Sequence, residues 1–105
     1  MALTKIDDRG LKTPIDLLDN EKIRFGTGND IQIYHDGSHS YIDNHTGDLY
    51  LRGNTNSIQL RPKDDEWAIV ASPNGAVELA YDGSKKLETT SSGVSVTGNL
   101  DIGSV

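Results

Sequence analysis

Three histidines are the first residues whose types and spacing suggest chemistry. His35 and His39 flank Asp36-Gly37-Ser38, and His45 sits in the turn that follows. Two imidazoles and a carboxylate are a donor set for a first-row divalent metal. The spacing argues against that use. His35 and His39 bracket a reversing turn and no His-x-His pair occurs, so they read as solvated turn residues with no metal site. Asp30, Asp36, Asp43, Asp48 and Asp82 supply the oxygens that calcium wants, but neither the clustered EF-hand loop nor a Gly-Gly-x-Gly-x-Asp repeat is present. Asp64-Asp65-Glu66 is a true acidic run, yet it follows Pro62-Lys63 in a stretch that reads as an exposed loop.

Nucleophilic and phosphate chemistry find no better footing. Ser38, Ser40, Ser84, Ser91 and Ser92 lie outside any Gly-x-Ser-x-Gly elbow. Gly26-Thr27-Gly28-Asn29-Asp30 is glycine-rich, but no Lys-Ser/Thr and no helix follow it as a phosphate loop requires. Glycosidase carboxylates pair in space rather than in sequence, and a small all-β module with one Phe, one Trp and four Tyr makes a poor sugar cleft. Tyr34, Tyr41, Tyr50 and Trp67 have the rings to stack on a sugar; aromatics in strands more commonly pack in a core or an interface, and Trp67 reads as core. The expectation is a non-catalytic protein with no cofactor.

Composition narrows the class further. With no cysteine there is neither a disulfide nor a thiolate metal site. The opening Met1-Ala2-Leu3-Thr4-Lys5-Ile6-Asp7-Asp8 has neither the basic region nor the apolar run of a signal peptide. No stretch approaches the ~18 apolar residues of a membrane span, so membrane insertion is not expected. A formal charge of −6 disfavours nucleic acid, whose binding runs on Lys and Arg displacing counterions. Leu, Ile, Val and Phe supply only 25 of the 105 residues. That is thin for a self-sufficient core, so the chain is expected to bury surface against copies of itself.

Two segments would position these side chains. Residues 1–20 carry six aliphatics, Leu3, Ile6, Leu11, Ile15, Leu17 and Leu18, and read as an arm that docks on a neighbour, with Thr13 and Pro14 able to cap and open a short helical turn. Residues 21–105 read as a β-rich module. Apolar and polar residues alternate in Lys22–Phe25, Ile31–His35, Asp48–Arg52, Ser57–Arg61, Ala76–Tyr81, Gly93–Thr97 and Leu100–Ile102, while Trp67–Ala71 is continuously apolar. Period-two alternation places one apolar face inward and one polar face outward. Asp36-Gly37-Ser38, Asp82-Gly83-Ser84, Pro73-Asn74-Gly75 and Gly53-Asn54-Thr55-Asn56 are turn sequences between the runs. The fold expected is all-β, with short antiparallel strands and tight turns. Its inward faces would carry Ile23 and Phe25, Ile31 and Ile33, Leu49 and Leu51, Ile58 and Leu60, Val77 and Leu79, and Val94 and Val96, packed between subunits. A weak internal echo relates Ile31–Ser38 to Val77–Ser84, each a strand closed by Asp-Gly-Ser.

From Asp19 to Ile42 the sequence becomes distinctive. Asp19-Asn20-Glu21-Lys22-Ile23-Arg24-Phe25-Gly26-Thr27-Gly28-Asn29-Asp30 and the run Ile31–Ile42 after it resemble a repeat in tail-fibre-like structural proteins of marine bacteriophages, cyanophages among them. Gly75–Leu79, Tyr81-Asp82, Ser84–Thr90 and Gly93–Leu100 match the same repeat, and residues 1–18 resemble the start of such proteins. The resemblance implies a virion protein of the phage tail or particle surface, a homotrimer with strands wrapped around a three-fold axis as an intertwined β-fibre or β-prism. It implies attachment to another virion protein through residues 1–20 and supplies no catalytic residues. Family members often run on past the Gly98-Asn99-Leu100 stretch into a longer shaft and a receptor-binding tip, whereas this sequence stops at Val105. Two other roles fit the same features: recognition of a host surface glycan, and decoration of a capsid.

Overall fold

A computed structural model describes residues 12–103. Every regular element among them is a β-strand, and every pairing is antiparallel. The chain divides into two compact units, residues 1–49 and 50–105.

The first unit holds a three-stranded sheet in the order β1-β2-β3, made of Ile23–Phe25, Ile31–His35 and Ser40–Asn44. β1 and β2 are joined through Gly26–Asp30, where Gly26 at φ 90° and Asn29 at φ 56° take the left-handed backbone that these two residue types tolerate best. Asp30 N–H closes this loop on the Phe25 carbonyl at 2.8 Å, and His45 N–H donates to the Asp30 carbonyl at 2.7 Å.

The second unit holds a five-stranded meander, β4 to β8 in sequence order: Ile58–Leu60, Ile69–Ala71, Val77–Tyr81, Ser84–Thr90 and Gly93–Val96. Pro73 and Asn74 (φ 53°) turn the chain between β5 and β6, and Gly75 N–H returns to the Ser72 carbonyl at 3.2 Å, as a type II turn requires. Asp82 and Gly83, at φ 49° and 74°, form the two-residue turn between β6 and β7, with Tyr81 and Ser84 as its closing pair. A bulge interrupts the β6–β7 ladder between Leu79 and Ala80.

The two Asp-Gly-Ser echoes therefore build different turns. Between β2 and β3 the closing pair is His35 and Ser40, which leaves a four-residue loop, Asp36 to His39. Here Asp36 uses its carboxylate to hold the loop instead of entering the left-handed region.

Three expected elements do not form. Thr13 and Pro14 lie in a bend rather than opening a helical turn. One isolated turn fixes several dihedrals for a single hydrogen bond, and this segment instead makes a tight turn near its end, with Glu21 N–H bonded to the Leu18 carbonyl at 3.0 Å. Asp48–Arg52 and Leu100–Ile102 alternate as strands do, yet neither joins a ladder. Alternation states which face a side chain prefers; a strand also needs a neighbour for its backbone groups, and these two runs have none in either sheet. Trp67, expected in the core, lies just outside β5 and is half-buried.

Candidate functional site: two uncovered apolar sheet faces

Register decides which side chains share a face. In the first sheet Ile23 pairs with Ile33 and Ile33 with Ile42, while Phe25 pairs with Ile31. These five residues make one apolar face. The opposite face carries Arg24, Gln32 and Asp43 in one row and Tyr34 with Tyr41 in the next.

The second sheet repeats the division on a larger scale. Leu60, Ile69, Leu79, Leu87 and Val96 are successive register partners across all five strands, a continuous apolar row. Two residues away, Ile58, Ala71 and Val77 make a second row, which Thr89 and Val94 continue on β7 and β8. The other face is lined by Gln59, Val70, Glu78, Glu88 and Ser95. Glu78 and Glu88 stand directly opposite each other, and Lys85 Nζ bridges them at 4.0 and 2.8 Å.

Neither apolar face is sealed by the described residues. No described residue is buried, and Phe25 is 53% exposed, Ile42 62%, Leu60 54% and Val94 62%. On β6 the usual order is inverted: Val77, Leu79 and Tyr81 are the exposed residues, while Glu78 and Ala80 are half-buried. Complete burial of one such aliphatic side chain contributes about 1.5–3 kcal/mol. Roughly a dozen of them left half in water forgo on the order of 10 kcal/mol, which is as much as the whole net stability of a small domain.

Of the residues expected to form an inter-subunit core, ten lie on these faces: Ile23, Phe25, Ile31 and Ile33 in the first sheet, Ile58, Leu60, Val77, Leu79, Val94 and Val96 in the second. Leu49 and Leu51 are outside both sheets and exposed. Three large aliphatic residues that complete the rows escaped the sequence pattern, Ile42, Ile69 and Leu87, as did the smaller Ala71 and Thr89. Ile42 follows Tyr41 without a polar spacer, Ile69 sits in an unbroken apolar run, and Leu87 is a lone aliphatic in Ser84–Thr90. Of the arm residues, Ile15, Leu17 and Leu18 line an open cavity of about 670 Å³ with Ile23, Ile33 and Ile42. Leu3, Ile6 and Leu11 lie outside the described residues.

The chemically suggestive residues are occupied locally. Asp36 Oδ1 accepts Ser38 N–H at 2.9 Å and His39 N–H at 2.7 Å, and Oδ2 accepts the Tyr41 hydroxyl at 2.9 Å. The His39 and Ser38 amides, then Tyr41, hold the Asp36 carboxyl below its ordinary pKa. The same bond to Asp36, reinforced by partial desolvation, raises the pKa of Tyr41. His35 Nδ1 lies 2.9 Å from Ser40 Oγ, and His45 Nε2 lies 3.3 Å from Asp43 Oδ2. Among the described residues no group of three or more His, Cys, Asp or Glu side chains is placed to hold a metal ion. Asp30 points its carboxylate at Gly26 and Gly28, where an added Cβ would meet it at 2.5 and 3.1 Å.

Two of the rings considered for sugar stacking are engaged by each other. Tyr34 and Tyr41 stack at 4.8 Å between centroids, and Lys22 Nζ stands 4.3 Å from the Tyr34 ring. Tyr50, with the Arg52 guanidinium 5.3 Å from its ring, is 70% exposed, and Tyr81 is 75% exposed.

Comparison with known proteins found no matching family model, no similar curated protein and no similar solved structure.

Proposed function

We propose that this chain is a non-catalytic structural protein of a phage virion: a homotrimeric tail-fibre or fibre-like appendage module that connects or displays other parts. The observation that carries the reading is the apolar row from Leu60 to Val96, which crosses a whole sheet with none of its residues buried. A sheet with one greasy face is a half-structure, because an antiparallel sheet ordinarily packs that face on a core. Sister copies are the cover that needs no second gene product, and closed rotational symmetry supplies it to each copy equally. The resemblance of Asp19–Ile42 and Gly75–Leu100 to the phage fibre repeat supports the same reading and favours three copies. The mechanism is mechanical. Packed faces make a stiff spacer, and residues 1–20 attach it to another virion protein.

Host-glycan recognition is the rival, and Tyr50 and Tyr81 are the exposed rings that favour it. Binding of purified protein to an array of bacterial surface polysaccharides separates the two. Silence across the array together with a trimeric mass supports the spacer; a bound glycan that Tyr81→Ala abolishes supports the reader. Immunogold labelling of virions distinguishes an appendage from capsid decoration.

A further inference from the structure

Among the described residues no strand pairs with the outer edge of β4 or of β8 in the five-stranded sheet, and the sequences of these two strands lack most of the devices that keep edges apart. Natural sheet edges are blunted by very short strands, charged side chains, Pro or bulges. Ile58-Gln59-Leu60 and Gly93-Val94-Ser95-Val96 are short, at three and four residues, but contain neither charge nor Pro. The bulge lies between the inner strands β6 and β7, and Lys85, Lys86 and Glu88 belong to β7.

The backbone pattern states what each edge offers. Alternate residues of an antiparallel strand turn both their N–H and C=O to the same neighbour. Thr97 N–H donates to the Lys86 carbonyl at 2.8 Å, so residues 93, 95 and 97 face β7. Val94 and Val96 then turn theirs to the free edge. On β5, the bonds Ser72 N–H to Ala76 C=O at 3.1 Å and Ala80 N–H to Ala68 C=O at 2.8 Å direct residues 70 and 72 and the Ala68 carbonyl toward β6, while Ala68 N–H turns back to the Leu60 carbonyl of β4 at 2.9 Å. Ile69 and Ala71 are left to face β4, where they pair with Leu60 and Ile58. Gln59 is the remaining β4 residue, and its N–H and C=O point outward.

We infer that β8 of one copy pairs in parallel with β4 of the next, with Ser95 opposite Gln59. This rests on the trimer proposed above and specifies its joint. In a five-stranded meander β4 and β8 run in the same direction, and a rotation axis along the strands preserves that direction between copies. Parallel pairing joins one outward-facing residue to the two that flank its opposite number. Gln59 N–H donates to the Val94 carbonyl, and Val96 N–H donates to the Gln59 carbonyl. The same register sets Ile58 beside Val94 and Leu60 beside Val96, so both apolar rows pass from one copy to the next without a break. Gln59 and Ser95 meet on the polar face. A shift of one residue would put Ile58 and Leu60 on the polar side.

The chain has no cysteine, which makes the joint testable by cross-linking. Neighbouring strands lie about 4.8 Å apart, within the Cα separation of roughly 4.4–6.8 Å that a disulfide spans. Gln59→Cys/Ser95→Cys, oxidised at low protein concentration, is expected to run as a covalent trimer on non-reducing gels, with neither single variant cross-linking. A trimeric native mass with no covalent trimer overturns the joint and leaves the trimer standing. Covalent dimers from Ser95→Cys alone overturn it in favour of a two-fold contact. A monomeric mass for the unsubstituted protein overturns the reading beneath both. Hydrogen exchange on the unsubstituted protein tests the joint without substitution: the Gln59 and Val96 amides are expected to be protected, and exchange at the rate of an unpaired amide contradicts the pairing.

Discussion

Asp36 organises more of its surroundings than any other polar residue of the first sheet, since one carboxylate accepts two backbone amides and the Tyr41 hydroxyl. Its pKa is lowered on folding, first by the His39 amide and then by that of Ser38. A lowered native pKa contributes stability that is in place above the ordinary Asp value of about 3.9 and is lost as the pH falls through the native value. Thermal midpoints measured between pH 2 and 5 should therefore fall on the acid side, and Asp36→Asn should flatten that slope. An unchanged slope would mean that other carboxylates carry it. The same substitution should return the raised pKa of Tyr41 toward its usual range in an NMR titration. At the β6–β7 turn, Gly83 sits at φ 74° and a Cβ there would meet only Glu66 Cγ, at 3.8 Å. Gly83→Ala thus isolates the backbone penalty, a loss of about 1–2 kcal/mol in denaturant unfolding at fixed protein concentration.

Among the strands, the proposed trimer makes opposite demands on the two faces of one sheet. Leu79 is 39% exposed in the single chain. Were that its environment in solution, truncation would cost little, as surface substitutions usually do. Covered by sister chains, Leu79→Ala should cost about 2–5 kcal/mol, the range for a large aliphatic removed from a core. Its neighbour on the polar face, Glu78→Gln, should change stability by no more than about 0.5 kcal/mol, since it loses only a long contact to a partly exposed Lys85. Similar small effects at both positions would place the apolar face in water. The strands themselves were largely legible, because alternation and Asp-Gly turns are local signals. Ile31–His35, Val77–Tyr81 and Gly93–Val96 are ladders where the pattern put them. Face membership was less so. Leu87 joins the longest apolar row only through its register with Leu79 and Val96, and a bulge beside it shifts that register by one residue. No count of apolar spacing within β7 could reveal this. Asp48–Arg52 failed in the reverse direction, with good alternation and no partner strand.

For the molecule as a whole, the question is where its apolar surface goes. Two sheets, each with one aliphatic face and no buried residue among those described, leave each apolar face without a core of its own. In the proposed trimer sister subunits would resolve this, and the binding and folding of such a chain would become one equilibrium. The thermal midpoint should then rise with protein concentration, whereas a self-sufficient monomer shows none of this dependence. The most direct test is solution mass by light scattering at micromolar concentration, with circular dichroism on the same sample. The account predicts three copies of the 11.4 kDa chain, about 34 kDa, with a β-sheet spectrum. A cooperatively folded species of 11.4 kDa that persists across the concentration range would contradict it.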